Sequence, residues 1–274
     1  MTRLANLGRQ SIRVGAFRIP RKTLNPTPGT LLAHGVAYTA IMATAPTLQA
    51  GESRPLTAAF EMSIEEYRAA SFDGVAEWVD GCVEVDRSVG KPHFLAVDFL
   101  QRFLNGYLLV QPLGRLLAEP FGMRASAGGN VRLPDLFFVT NDHMERFGED
   151  QLDGPADLCI EVVSPGSFAK DYQTKFFEYQ ANGVREYWII DPNSSPEHAE
   201  FHVLAPDPVH RGHLTFRPVP IDDDGIYRSS VIEGLWIRVG WLWDRDADPQ
   251  QCLAEVVGVD AMVAAVRAKA ASNR

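Results

Sequence analysis

Hydrophobic and polar positions repeat with two different periods in the middle of the chain. Residues 94–109 carry apolar side chains at intervals of three and four, the period of an amphipathic helix. Residues 157–163 and 186–191 are short apolar runs, as expected for strands buried on both faces. Residues 168–182, between these runs, return to the helical period. This strand–helix–strand order predicts an α/β domain with a mixed β-sheet flanked by helices.

Capping and turn residues predict the elements around this unit. Ser63 and Glu66 form a capping-box pattern, which predicts a helix start, and Gly183 is placed to cap the helix over 168–182. An Asp-Gly pair within residues 77–85 predicts two short strands joined by a turn. Other patterns predict a strand over 133–140, an edge hairpin over 201–204 and 214–219, and an alanine-rich helix over 251–272.

Charge divides the chain into unlike parts. Residues 1–50 hold six basic residues and no Asp or Glu, and five prolines occur by position 55. We therefore expect a disordered N-terminal extension over 1–55, a single domain over 56–246, and a C-terminal helix and tail over 247–274. An arginine-rich, acid-free segment is also typical of a transit peptide, and this alternative stays open. The rest of the chain is acidic, which opposes binding to a nucleic-acid backbone.

Several protein classes are disfavoured by composition and by missing motifs. The three cysteines are far apart with no CxxC pair, which argues against a disulfide framework or thiolate zinc site and favours a reducing compartment. We therefore expect a cytoplasmic location. The sequence contains no run of 18 apolar residues, so it predicts no membrane-spanning helix. The sequence also lacks GxGxxG, P-loop, GxSxG and HExxH motifs. Their absence argues against dinucleotide oxidoreductases, P-loop NTPases, serine hydrolases and zincins.

Two acidic residues are the first candidates for chemistry. Asp135 follows a proline at the start of one predicted strand, and Glu161 lies inside the apolar strand over 157–163. A buried carboxylate is costly unless it is paired, hydrogen-bonded or bound to a metal. Two such groups on neighbouring strands would repel, and a divalent cation such as Mg²⁺ would relieve that repulsion. The structural alternative is an exposed strand glutamate and a turn aspartate.

Lys175 and a group of histidines are further candidates. Lys175, unlike Lys170, borders the apolar stripe of the predicted helix over 168–182, so only its side chain is expected to point towards the sheet, although a solvated lysine is commoner. The spacing of His198, His202, His210 and His213 invites a zinc interpretation, but strand and loop patterns with three prolines disfavour it. His93, at the start of a predicted helix, is expected to be a cap or surface residue.

The segments RLPDLFFV and DLCIEVVSPGSFAKDYQTKFFEYQANGVREYWIIDP, taken together, resemble the Uma-two-type putative restriction endonucleases of the PD-(D/E)XK superfamily. The upstream EWVDGCVEV, followed by His93, is similar to the start of that family. The resemblance covers roughly residues 60–245. It implies a restriction-endonuclease-like fold and a Mg²⁺-dependent endonuclease acting on DNA, with Mn²⁺ as an alternative metal.

The resemblance also implies roles for particular residues. Asp135 and Glu161 would hold the metal, which activates water and stabilises charge on the phosphate. Val163 occupies the position of the motif lysine, and the resemblance moves that lysine to Lys175, with Lys170 as the second choice. Glu77 resembles an upstream acidic position of such folds and is the fourth catalytic candidate.

Two other functions remain open beside the nuclease hypothesis. A catalytically silent nuclease-fold module would bind nucleic acid or a protein partner, and the acidic composition favours it. An unrelated acid–base enzyme could use the same carboxylates. The complete set Asp135, Glu161 and Lys175 favours an active enzyme. We expect no membrane partner and leave a homodimer open.

Overall fold

The computed structural model describes residues 58–72, 74–86 and 89–272. The predicted disordered extension over 1–55 lies outside the described residues. The helices are α1 (Ile64–Ala69), α2 (Lys91–Val110), α3 (Phe176–Asn182), α4 (Pro249–Val257) and α5 (Val259–Ser272). Shorter helical segments are two 3₁₀ turns, Asn141–Arg146 and Val239–Leu242, and a π-helical turn, Lys170–Lys175, which leads into α3.

Thirteen strands are present in the described residues, and they form four sheets. The strands are β1 (Ala58–Glu61), β2 (Val75–Val79), β3 (Cys82–Asp86), β4 (Gly114–Ala118), β5 (Gly122–Arg124), β6 (Leu136–Thr140), β7 (Gln151–Asp153), β8 (Leu158–Val162), β9 (Glu186–Asp191), β10 (His198–Pro206), β11 (Leu214–Pro218), β12 (Ile226–Arg228) and β13 (Trp236–Arg238).

A six-stranded sheet in the order β11-β10-β9-β8-β6-β4 forms the centre of the fold. Its β8 and β9 are parallel, as a strand–helix–strand unit requires, and its other neighbours are antiparallel. The predicted mixed sheet with flanking helices is therefore confirmed. A three-stranded sheet, β1-β3-β2, includes the predicted hairpin, and two-stranded pairs β5-β7 and β12-β13 complete the set.

The two faces of the central sheet bury different sets of side chains. Leu136 and Ile160 face α2 and belong to the larger apolar cluster with Phe103 of that helix. Phe137 and Cys159, one position along each strand, belong to the second cluster, with Tyr179 of α3. Because side chains alternate along a strand, Asp135 and Glu161 belong to the face that carries α3.

The local predictions are confirmed at helix ends and corrected within two helices. Ser63 and Glu66 form both hydrogen bonds of a capping box, and Gly183 caps α3 with a positive φ of 85°. The chain is helical over the whole predicted range 168–182, but its Lys170–Lys175 part is π-helical. The helix predicted over 251–272 is two helices, which are separated at Gly258, where φ is 82°. Within the described ranges, no helix is both long and apolar enough to cross a membrane.

A buried carboxylate just before β8 links several chain segments at the end of the sheet opposite the predicted site. Asp157 is fully buried and accepts hydrogen bonds from the Thr140 amide at 2.8 Å and the Thr140 hydroxyl at 2.9 Å. His143 Nδ1 lies 2.8 Å and Arg185 3.2 Å from its carboxylate. Burial alone would raise the pKa of Asp157, but the Thr140 and His143 hydrogen bonds hold it below its usual value.

Replacement of this carboxylate should weaken the fold in a pH-dependent manner. We expect Asp157→Asn to lower the free energy of unfolding by about 1–3 kcal/mol at pH 7. Because the folded pKa is depressed, this stabilisation is present above the unfolded value of about 3.9 and is lost as the pH falls through the folded pKa. Urea unfolding at pH 7 and at lower pH, with exposed Asp150→Asn as the control, measures the difference. Equal stability of the two variants at pH 7 would contradict the assignment.

Candidate active site

Asp135 and Glu161 meet at one end of the central sheet. The register pairs Leu136 of β6 with Ile160 of β8, so the next position brings Asp135 beside Glu161. Asp135 Oδ2 accepts a hydrogen bond from the Val162 amide at 2.7 Å, which fixes it against β8. Asp135 is 8% exposed and Glu161 is 2% exposed. The structure therefore brings together the two carboxylates that the sequence pattern singled out.

Lys175 reaches this pair from the π-helical turn. Its ammonium lies 2.8 Å from Glu161 Oε2, 3.5 Å from Glu77 Oε1 and 3.6 Å from Asp171 Oδ1. Burial opposes the charged form of Lys175, but Glu161, Glu77 and Asp171 hold its pKa well above the usual value. The buried ammonium is therefore a permanent cation and hydrogen-bond donor.

Lys170 also lines this cavity, although the helical stripe had singled out Lys175 alone for an inward side chain. Its ammonium lies 3.1 Å from Glu77 Oε2 and 2.9 Å from Glu84 Oε2. Positions five apart lie far round an α-helix from each other, whereas the i→i+5 bonding of a π-helix brings them together. The prediction that only Lys175 points inward is therefore wrong, and the π-helical turn is the reason.

Glu77 is the junction of the positive charges rather than a carboxylate paired with Asp135. Glu77 is 4% exposed, and its carboxylate contacts Arg132 at 3.3 Å as well as Lys170 and Lys175. It also accepts a hydrogen bond from the Leu133 amide at 3.0 Å. Burial would raise its pKa, but Lys175, Lys170 and Arg132 lower the pKa of Glu77 to about 2. Its carboxylate is therefore in contact with three cations at once.

His93 is buried in the site, so the expectation of a cap or surface residue is wrong. It is 5% exposed, and its Nε2 lies 3.1 Å from Asp135 Oδ1. The sequence does not show this because the ring reaches the site from α2, about forty residues before Asp135, and only the packing of α2 on the sheet brings them together. Burial lowers the pKa of His93, but the hydrogen bond and charge of Asp135 outweigh it and raise the pKa overall.

A cavity of about 400 Å³ opens onto these groups. It is lined by six carboxylates against two ammoniums and one imidazole. The carboxylates are Glu77, Glu84, Glu119, Asp135, Glu161 and Asp171, and the cations are Lys170, Lys175 and His93.

Burial, together with the neighbouring carboxylates, raises the pKa of several of these groups. Burial, aided by the charges of Asp171 and Asp135, raises the pKa of Glu161 to about 8, although Lys175 opposes the shift. Burial and the charge of Asp135 raise the pKa of Glu119 to about 7. Burial also raises the pKa of Asp171. All three shifts therefore act against the ionised form of these carboxyl groups.

The donor set suits a hard divalent cation, which takes oxygen ligands and often only one or two carboxylates. Asp135 and Glu161 are the residues that could hold it, and buried Asp171 Oδ1 lacks a hydrogen-bond partner in the described part of the chain. Nowhere in that part do three or more His, Cys, Asp or Glu side chains converge closely enough to form a ready-made metal site. The cavity therefore suits a divalent cation by its negatively charged groups and by its oxygen donors.

The histidine group of the sequence analysis does not converge. His198 and His202 lie on β10 and flank Glu200, with His202 buried and its Nε2 3.4 Å from Glu200. His210 and His213 lie in the turn between β10 and β11, where His210 Nδ1 is 3.4 Å from Asp207. The four rings thus form two separate local groups.

Tyr179, a member of the second apolar cluster, also touches the site. Its hydroxyl donates a hydrogen bond to Glu161 Oε1 at 2.8 Å, while the ring is fully buried between α3 and the sheet. With Lys175 on Oε2, both oxygens of Glu161 are engaged. The carboxylate is therefore held in one orientation before any ligand arrives.

The mixed sheet with Asp135 and Glu161 on neighbouring strands defines a restriction-endonuclease-like α/β fold. The chain belongs to the Uma2 family, described as "Putative restriction endonuclease", whose profile matches residues 64–240. Membership supports a nuclease. Comparison with curated proteins gives no match.

A solved structure is similar in fold. It is the crystal structure of a putative nuclease belonging to DUF820 from Anabaena variabilis, with a TM-score of 0.51 and 15% sequence identity. The match covers 66% of this chain and 97% of that one. At this identity the similarity shows a shared fold.

Proposed function

We propose that this protein is a Mg²⁺-dependent endonuclease that hydrolyses DNA phosphodiester bonds, with Mn²⁺ as an alternative metal. The observation that carries the proposal is the convergence of Asp135, Glu161 and the Lys175 ammonium in one cavity with an excess of carboxylates. Family membership supports the nuclease class. The catalytic assignments below follow from where each side chain lies.

The proposed roles divide between metal binding and charge stabilisation. Asp135 and Glu161 hold the metal, which supplies activated water and stabilises charge on the phosphate. Lys175 is kept protonated by its carboxylate neighbours, so it acts as a cation facing the developing negative charge rather than as a base. Glu77 is a positioning residue that holds both lysines and does not touch the reacting atoms.

The excess of carboxylates also explains why a metal would be needed to bind the phosphodiester as well as to hydrolyse it. A phosphodiester entering a cavity with six carboxylates meets repulsion, since both lysines already contact carboxylates. A divalent cation reverses that local field. DNA is therefore expected to enter this site only with the metal.

The direct test is incubation of the purified protein with supercoiled plasmid. We expect nicked and linear products with Mg²⁺ or Mn²⁺ and intact plasmid with EDTA, with His202→Ala cutting at the wild-type rate. Cleavage that survives EDTA, or that is lost in His202→Ala, would contradict the assignment of the site.

A catalytically silent module is the second candidate, and the ion pairing of both lysines favours it. Such a module would bind a partner without cleaving it. Fluorescence anisotropy with labelled duplex DNA distinguishes the two functions. We expect an active enzyme to show metal-dependent affinity for DNA. Equal binding in EDTA and Mg²⁺, together with intact DNA, would favour the silent module.

A further inference from the structure

Three carboxylates lie in one row where neighbouring strands of the central sheet begin or end. The register pairs Ala118 of β4 with Leu136 of β6, and Leu136 with Ile160 of β8. One position further, just beyond the ends of β4 and β6, lie Glu119 and Asp135, and together with Glu161 of β8 they line the same cavity. Residues opposite each other on adjacent strands face the same side, and like charges there are destabilising.

Of the three carboxylates in this row, Glu119 has the fewest hydrogen bonds and ion pairs. Both oxygens of Asp135 are engaged, by the Val162 amide and by His93, and both oxygens of Glu161 are engaged, by Tyr179 and Lys175. Glu119 is half-buried and lines the same cavity. In the described part of the chain, its carboxylate has neither a hydrogen bond nor an ion pair.

We propose that Glu119 is a third carboxylate of the metal site, in addition to the two motif residues. This inference rests on the proposed function, because it needs the same divalent cation. A hard cation relieves the repulsion within the row and takes carboxylate oxygens as ligands. Since Glu119 has no bond to break, it can turn towards the ion at lower cost than Asp135 or Glu161.

Metal affinity, measured without any substrate, tests the proposal. Mn²⁺ binding is measured by isothermal titration calorimetry on the full chain at a single pH. We expect Glu119→Gln to weaken Mn²⁺ binding by about tenfold or more, the scale on which supporting ligands affect metal sites. Glu84→Gln is the matched control, since it removes one charge from the same cavity but from a carboxylate already paired with Lys170. It should change the affinity less than threefold.

The outcomes separate this inference from the proposed function. Wild-type binding that is lost in Asp135→Asn but unchanged in Glu119→Gln would overturn the role of Glu119 and leave the metal-dependent nuclease standing. Equal weakening by Glu119→Gln and Glu84→Gln would also overturn it, because only the total charge would matter. A wild-type chain that does not bind Mn²⁺ would overturn both proposals. Circular dichroism confirms that each variant is folded.

Discussion

Lys175→Ala should reduce DNA cleavage by about 10²–10⁴-fold, the usual contribution of a positioned acid–base or charged group. The Lys175 side chain is 7% exposed and its ammonium lies 2.8 Å from Glu161, whereas Lys170 contacts Glu77 and Glu84. Initial rates on plasmid at saturating Mg²⁺ measure the loss. Lys175→Gln, which keeps a donor and most of the volume without the charge, should lose activity on the same scale.

Lys170→Ala is the matched control on the same π-helical turn. Lys170 contacts Glu77 and Glu84, but its side chain is 21% exposed, and the ammonium that contacts Glu161 is that of Lys175. We expect a loss of less than tenfold. A larger loss in Lys170→Ala than in Lys175→Ala, or two mild variants that remain folded, would refute the assignment of Lys175 and favour the silent module.

Glu77→Gln should cause the largest loss of stability. Breaking a buried ion pair leaves an uncompensated charge and costs about 3–5 kcal/mol. Glu77 contacts three cations, and Arg132, which is 2% exposed, would retain Glu178 at 2.5 Å as a partner. Lys170 and Lys175 would each lose one carboxylate partner and would keep Glu84 and Glu161, respectively. Denaturant unfolding at pH 7 measures the change in the free energy of unfolding.

The Glu84→Gln variant is the control for this measurement. Glu84 also contacts Lys170, but its side chain is 30% exposed, so water can compensate for the missing charge. We expect a loss of less than about 1 kcal/mol. Comparable stability of Glu77→Gln and Glu84→Gln would show that Glu77 is not the junction described above.

The sequence predicted the fold and the motif carboxylates because their signals are local. Apolar runs, helical periods and a capping box each lie within a few residues, and β8, β9 and the helix between them follow from such patterns. Asp135 and Glu161 stand out because each interrupts or begins an apolar strand. Their contact depends on the register of β6 with β8, which the pattern does not fix but the resemblance implied.

Other features of the site depend on tertiary packing and leave little local signal. The ring of His93 reaches Asp135 only through the packing of α2 on the sheet, and Glu119 joins the cavity only through the register of β4. The π-helical turn was missed because an extra residue in one helical turn barely disturbs the apolar stripe, yet it turns Lys170 inward. Glu77 was found by resemblance, but its contacts with three cations point to positioning.

The central claim is that Asp135 holds a catalytic metal at this site. The most direct measurement compares plasmid cleavage by the wild type and by Asp135→Asn in Mg²⁺, with circular dichroism to confirm that both are folded. We predict metal-dependent cleavage by the wild type and none by Asp135→Asn. Cleavage by Asp135→Asn at the wild-type rate would contradict the account.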